Sequence, residues 1–258
     1  MRKILIGLSI LGFFAIGAAR QMPLEATVRT QESLGNVVLS NAVENRIVMF
    51  GGVHGSFRED EDFVAELIPR LEEAGFAYLA IEFEKDPPKD SLHEVIEDYA
   101  FGRVIRKNIR TMWIKRERKI CAGTFDLIDA AKKAKMKIVF YDADEDSYKY
   151  WRDREKIAYA NLEQMIFHKD PVAKVVIFCG AWHINERPHE DPSADLRMGS
   201  PERIKYLAFY MDETSKGKTF TVSLLGSLYS KIITPYCDLV LDLEENTYYY
   251  NFDPELWP

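Results

Sequence analysis

Two histidines and one glutamate in this sequence combine reactive chemistry with a suggestive placement. His54 follows the apolar segment IVMF and a pair of glycines, His183 follows VVIFCG, and Glu82 lies inside the apolar segment YLAIEF. A carboxylate inside such a segment is costly to bury unless it is paired. Two imidazoles with a carboxylate can hold a divalent metal or perform acid–base chemistry. His54, His183 and Glu82 are therefore our candidate metal ligands, and Glu82 is also a candidate acid–base group.

These three residues become neighbours only if their segments are strands of one sheet. Apolar segments predict strands at 46–50, 77–83, 137–141 and 174–179, with later strands at 219–225 and 239–243. Helical periodicity occurs between them, so the alternation predicts an α/β fold with a mostly parallel central sheet and helices on both faces. Ligands bind at the carboxyl ends of the strands in such sheets, where each of these residues would lie.

Composition excludes some classes of function. The chain has 258 residues, 47% of them hydrophobic, and a net charge of -7, which argues against a nucleic-acid-binding protein. We find no internal repeat or strong linker, so we expect residues 20–258 to form a single α/β domain.

The N-terminal residues have the pattern of a secretory signal peptide. Arg2 and Lys3 precede an apolar run over 4–16, and the small residues Gly17, Ala18 and Ala19 follow it. This order predicts cleavage after Ala19 and a secreted or periplasmic protein. The alternative is an uncleaved segment that anchors the chain in a membrane.

A basic segment near residues 100–120 reads as a helical insertion. Residues 101–119 contain eight basic side chains and one acidic side chain, with apolar residues between them. The alternatives are a solvated helix face, a rim that attracts an anionic ligand, or contact with an acidic membrane surface.

Four motifs, IVMFGGVHGS, YLAIEFE, REKIAYANL and KVVIFCGAWHI, carry a family resemblance over residues 46–225. In this order they resemble the superfamily of the TIKI and TraB-type proteins, the ChaN-type haem-binding proteins and the erythromycin-esterase-like proteins. The resemblance implies a cluster at the strand ends formed by His54, Glu82, Arg154, Glu155 and His183. It implies catalytic roles for Glu82, Glu155 and Arg154, whereas the residues around Arg154 alone would favour an ordinary surface charge.

One position departs from part of this superfamily. ChaN-like and esterase-like members usually carry a glutamate directly after the glycine of the first motif, and Gly52 stands there in this chain. The departure resembles the TIKI and TraB side and leaves Glu82 or Glu155 as the candidate base.

Three hypotheses follow. The first is an exported metal-dependent hydrolase acting on a small-molecule or peptide substrate, with Mn, Fe, Co or Zn held by His54, His183 and Glu82. The second is a ChaN-like haem- or iron-binding protein without catalysis. The third is an interaction module that has kept the fold and lost the chemistry.

Overall fold

The computed structural model describes residues 24–27, 31–52, 58–85, 92–104, 118–148, 151–186, 205–224, 237–243 and 247–252. Eight strands lie in these ranges and form one sheet: β1 (Leu24–Thr27), β2 (Ile47–Gly52), β3 (Tyr78–Glu84), β4 (Lys137–Asp142), β5 (Val175–Gly180), β6 (Thr219–Leu224), β7 (Cys237–Asp242) and β8 (Thr247–Phe252). Their order across the sheet is β1-β8-β7-β6-β2-β5-β3-β4. The strands from β7 to β4 in this order are parallel, whereas β8 pairs antiparallel with β7 and β1. The predicted α/β fold with a mostly parallel sheet is confirmed.

Helices cover both faces of the sheet. The helices in the described ranges are α1 (Gln31–Ala42), α2 (Arg58–Glu73), α3 (Leu92–Ala100), α4 (Arg118–Lys133), α5 (Trp151–Leu162) and α6 (Leu207–Ser215). Apolar residues of the first four join one core, and those of α5 and α6 join a second core on the opposite face. A π-helical turn (Glu163–Phe167) continues α5, and short 3₁₀ turns follow β4 (Glu145–Ser147) and β5 (Ala181–Ile184).

Strand β2 is apolar at every position, without the usual alternation of apolar and polar residues, because both of its faces are buried. Val48 and Phe50 point into the first core, Ile47 and Met49 point into the second, and all four are fully buried. A parallel strand covered by helices on both faces needs apolar side chains at successive positions. The continuous apolar runs that predicted the strands are therefore a direct consequence of the three-layer packing.

The strand order determines which predicted site residues are neighbours. Strand β5 lies between β2 and β3, so the strand that leads to His183 is adjacent to the strand that carries Glu82. Of these three strands, the one that leads to His183 is therefore in the middle, and the one that carries Glu82 is at the side. His54 lies outside the described residues.

The basic segment begins differently from the sequence prediction. Residues 101–104 form a turn after α3, with Gly102 at a φ of +74°, rather than the start of a helix. The backbone amides of Gly102 and Arg103 donate to the carbonyls of Tyr99 and Asp98 and so end α3. Residues 105–117 lie outside the described residues, and α4 begins at Arg118. Among the described helices, none is long and apolar enough to cross a membrane.

Candidate active site

A buried histidine after β5 lies between two carboxylates. The 3₁₀ turn Ala181–Ile184 carries His183, whose side chain is 9% exposed. His183 Nδ1 lies 2.7 Å from Glu155 Oε1, and His183 Nε2 lies 3.0 Å from Glu82 Oε1. An imidazole donates from both ring nitrogens only when it is protonated. We call His183, Glu82 and Glu155 the histidine clamp, because the two carboxylates hold both edges of the ring.

The clamp changes the protonation of His183. Burial by itself lowers the pKa of an imidazole, because it penalises the charged form. The carboxylates of Glu155 and Glu82 outweigh burial and hold the pKa of His183 well above its ordinary value of 6.5. The two carboxylates thus favour the charged form of His183, while Arg154 Nη1 lies 3.4 Å from its Nε2.

Arg154 holds Glu82, one of the two carboxylates of the histidine clamp, in position. Its guanidinium binds Asp142 through Nε at 3.1 Å and Nη2 at 2.5 Å, and the same Nη2 donates to Glu82 Oε1 at 2.5 Å. Glu82 Oε2 accepts from the backbone amide of Gly180 at 2.5 Å. Glu82 is thus held by contacts with Arg154, His183 and Gly180, and its position is set by three separate elements. Arg154 is not the ordinary surface charge that its sequence neighbours favoured.

Helix α5 delivers Arg154 and Glu155 to the cluster from consecutive positions. One face of this helix packs on the end of β4, where Asn161 Nδ2 donates to the carbonyl of Tyr141 at 2.9 Å and Ala158 is buried. Arg154, Ala158 and Asn161 therefore share the helix face that packs on β4. The Asn161 bond ties the helix to the strand whose last residue, Asp142, binds Arg154.

The two carboxylates of the clamp differ in their remaining hydrogen-bonding capacity. Both oxygens of Glu82 accept hydrogen bonds, whereas Glu155 Oε2 is buried and has no hydrogen-bond partner in the part of the chain that the structure describes. The hydroxyl of Tyr141 is likewise buried without a partner in those residues. Burial raises the pKa of Tyr141, and the charges of Cys179, Glu82, Asp142 and Glu155 raise it further, so this phenol stays neutral. Glu155 therefore keeps a buried oxygen that can accept a proton or a hydrogen bond.

The described residues do not fit a divalent metal at His183. A metal ligand must offer a deprotonated ring nitrogen, yet both nitrogens of His183 face carboxylates. Glu82, the second expected ligand, lies against the positive guanidinium of Arg154. Within the described ranges, no three His, Cys, Asp or Glu side chains are grouped so that they could hold a metal ion.

Two acids near the strand ends were missed as site residues by the sequence. Asp142 directly follows the third apolar segment, but its role in binding Arg154 could not be assigned from the sequence without the strand order. Asp60, in the first turn of α2, is 3% exposed, and its Oδ2 lies 2.8 Å from the point that a Cβ on Gly52 would occupy. Its only sequence signal is a run of four acids, EDED, of which three would be expected at the surface. The Asp60 carboxylate thus lies beside Gly52, and a larger side chain at position 52 would displace that carboxylate.

Arg103, in the described part of the basic segment, is paired with acids of α3. Arg103 makes ion pairs with Glu97 at 2.8 Å and with Asp98 at 2.5 Å. Its charge is already balanced within α3 and the following turn, so Arg103 is a poor anchor for an anionic ligand such as a haem propionate.

Comparison with known proteins gives a distant structural likeness. No family model matches the chain, and no curated protein matches it. The type III effector HopBA1 aligns at a TM-score of 0.49 and 14% identity, over 75% of this chain and 83% of its own. RRSP, a MARTX toxin effector domain from Vibrio vulnificus, aligns at 0.49 and 14%, over 89% of this chain and 39% of its own. ChaN of Campylobacter jejuni, solved with cofacially bound haem, aligns at 0.42 and 12%, over 84% of this chain and 92% of its own. No activity transfers at this distance.

Proposed function

We propose that this chain is a hydrolase that acts by proton transfer, with Glu155 as the base and His183 as the proton carrier. The observation that carries the proposal is the histidine clamp, since buried titratable groups with strongly shifted pKa values concentrate at functional sites. The substrate class is a small molecule or peptide, as the sequence resemblance implies.

The geometry favours Glu155 over Glu82 as the base. Glu82 accepts from Arg154, His183 and Gly180, so a proton added to it would break bonds that hold the site together. Glu155 Oε2 is not used in this way, and it can take a proton from a water molecule while Oε1 stays bonded to His183. The imidazolium then holds a proton ready for the leaving group. Arg154 orients Glu82 and adds positive charge beside the reacting atoms.

The metal-dependent hydrolase expected from the sequence is a rival form of this proposal. It requires His183 to lose its protons and Glu82 to turn from Arg154, and it requires His54 as a further ligand. Export remains part of the proposal and rests on the pattern of residues 1–19.

The test replaces the two proton-transfer groups and a matched control histidine. We expect His183→Gln and Glu155→Gln each to lower hydrolysis of a panel of peptides and esters by about 10²- to 10⁴-fold, the usual contribution of general acid–base catalysis. His168→Gln is the control, because the His168 side chain is 71% exposed and lies 3.6 Å from Glu163. It should leave activity unchanged.

Two further measurements separate the rival functions. A chelator should leave the activity intact, and a loss restored by Mn or Zn would favour the metal-dependent form. An inactive wild-type protein that shifts the Soret band of hemin would favour haem binding. An inactive protein that binds neither metal nor hemin would favour the non-catalytic module.

A further inference from the structure

A second group of acids lies where the chain leaving His183 meets β6 and β7. Glu186 Oε1 accepts from the Thr221 hydroxyl at 2.6 Å, and Asp238 Oδ2 accepts from the Thr221 backbone amide at 2.9 Å. The Thr221 hydroxyl oxygen accepts in turn from the backbone amide of Asp238 at 2.9 Å. Thr221 is fully buried. Two carboxyl groups on different segments therefore converge on one threonine, and we call Glu186 and Asp238 the acid pair.

The surroundings of the acid pair oppose two negative charges. A hydroxyl has one proton to donate, and Thr221 gives it to Glu186. The negative charge of Asp212, an exposed acid on α6, further raises the pKa of both groups. Burial and the charges of both acids raise the pKa of the neighbouring Cys237 thiol. Like charges at one partly buried position disfavour ionisation of both groups. The arrangement around Thr221 therefore favours a protonated carboxyl group in the acid pair.

The titration of the pair agrees with its geometry. Burial, and next the charge of Asp238, raise the pKa of Glu186 to about 8. Burial likewise raises the pKa of Asp238. Glu186 therefore keeps its proton at neutral pH.

The position of Glu186 in the chain links this pair to the candidate site. The segment 181–186 begins at the end of β5, carries His183 in its 3₁₀ turn, and ends at Glu186. Between His183 and Glu186, Ile184 and Asn185 are buried. Strand β5 holds one end of this segment, and the hydrogen bond from Thr221 holds the other.

We propose that Glu186 is a positioning residue for His183, and that its hydrogen bond with Thr221 fastens the segment 181–186 to β6 and β7. Ionisation of both acids places two negative charges together and loosens this attachment. The histidine clamp then loses the rigid turn that presents His183 to its carboxylates. The catalytic consequence rests on the proposed function, whereas the attachment itself does not.

The first test measures stability against pH for wild type and Glu186→Gln, which imitates the protonated acid. A group whose pKa is raised in the folded state stabilises the protein at low pH and loses that contribution as the pH rises through the folded pKa. The wild-type folding constant, relative to Glu186→Gln, should fall by about ten-fold per pH unit between about pH 5 and about pH 8, and then level off. Glu66→Gln, an exposed acid on α2, is the matched control and should follow the wild-type profile.

The second measurement asks whether the attachment positions His183. The ring N–H protons of His183 should exchange slowly with solvent in both proteins at pH 6. At pH 9 they should exchange at least ten-fold faster in wild type than in Glu186→Gln. A general loss of stability without positioning would instead change exchange throughout the core.

The outcomes separate this inference from the proposed function. A pH-independent difference between wild type and Glu186→Gln, or equal His183 exchange in both at pH 9, overturns the positioning role even if the protein is an active hydrolase. The expected profiles in a protein that hydrolyses nothing would support the attachment and reject the proposed function. In an active protein, Glu186→Gln should keep kcat above pH 8 where wild type loses it.

Discussion

Arg154 and its acidic partners are charged groups that could not be buried without one another. It joins Asp142 at the end of β4 to Glu82 on β3, and the side chains of all three are nearly buried. Burial lowers the pKa of a guanidinium, but the hydrogen bonds with Asp142 and the charge of Glu82 raise the pKa of Arg154 above its ordinary value. Buried ion pairs add little net stability against an apolar replacement of the whole pair, yet removal of one partner is severe.

We therefore expect Arg154→Met to destabilise the protein by about 3–5 kcal/mol, because two buried carboxylates lose their counter-charge. Lys156→Met is the matched control, since Lys156 is exposed on the same helix, and it should change stability by less than about 0.5 kcal/mol. Urea denaturation of the two variants gives both values. Equal stabilities would mean that the ion pairs of Arg154 contribute nothing to the fold.

Among the helices and strands, those whose side chains are buried could be predicted from the sequence. Those that depend on pairing with a distant segment could not. The parallel strands are apolar at successive positions because both faces are covered, so β2 to β7 could be read directly from the sequence. β1 and β8 could not, because LEAT is short and TYYYNF carries no apolar period, and they become strands by pairing with each other at the edge. The basic segment predicted near 100–120 opens with a turn at Gly102 that ends α3, and residues 105–117 lie outside the described residues.

The residues of the candidate site likewise differ in how far the sequence alone could predict them. Glu82 and His183 could be predicted, because polar side chains stand out beside apolar strands. Arg154 and Glu155 required the family resemblance, since their neighbours in sequence are charged as well. The acid pair has no sequence signal, because it depends on contacts between distant segments.

Gly51 illustrates a glycine that the packing of elements requires. A Cβ at this position would lie 2.9 Å from the Cα of Ala181 and 2.8 Å from Cδ1 of Ile184, both in the turn that carries His183. Because one of these contacts is with backbone, the whole turn must shift. We expect Gly51→Ala to cost about 1–3 kcal/mol and to lower hydrolysis along with stability.

Gly75→Ala is a useful comparison for this variant. Gly75 follows α2 with a φ of +91°, so alanine there is strained by the backbone but far from the turn. It should lower the melting temperature without altering the exchange of the His183 ring protons, whereas Gly51→Ala should alter both. If Gly51→Ala leaves His183 exchange unchanged, the turn does not depend on this close approach.

For the whole molecule, the free energy of unfolding should depend on pH through the titration of His183. Its pKa is raised in the folded state, so the folded protein binds more protons than the unfolded chain above pH 6.5. The stability contributed by the clamp is fully present below pH 6.5 and is lost as the pH rises through the folded pKa. The stability contributed by the acid pair also falls as the pH rises. Variants are therefore needed to separate the two contributions.

We expect the difference in unfolding free energy between Glu186→Gln and the double variant Glu186→Gln/His183→Gln to be largest at acid pH. It should be constant between about pH 5 and about pH 6, because the imidazole is protonated in both folded and unfolded chains there. It should then decrease as the pH rises, by up to about 1.4 kcal/mol per pH unit, because the unfolded chain releases the proton that the clamp retains. Urea denaturation across this range measures the difference. If it grows with pH, the folded pKa of His183 is lowered and the imidazole is buried in its neutral form, which would return metal ligation to consideration and remove the basis for proton transfer by this residue.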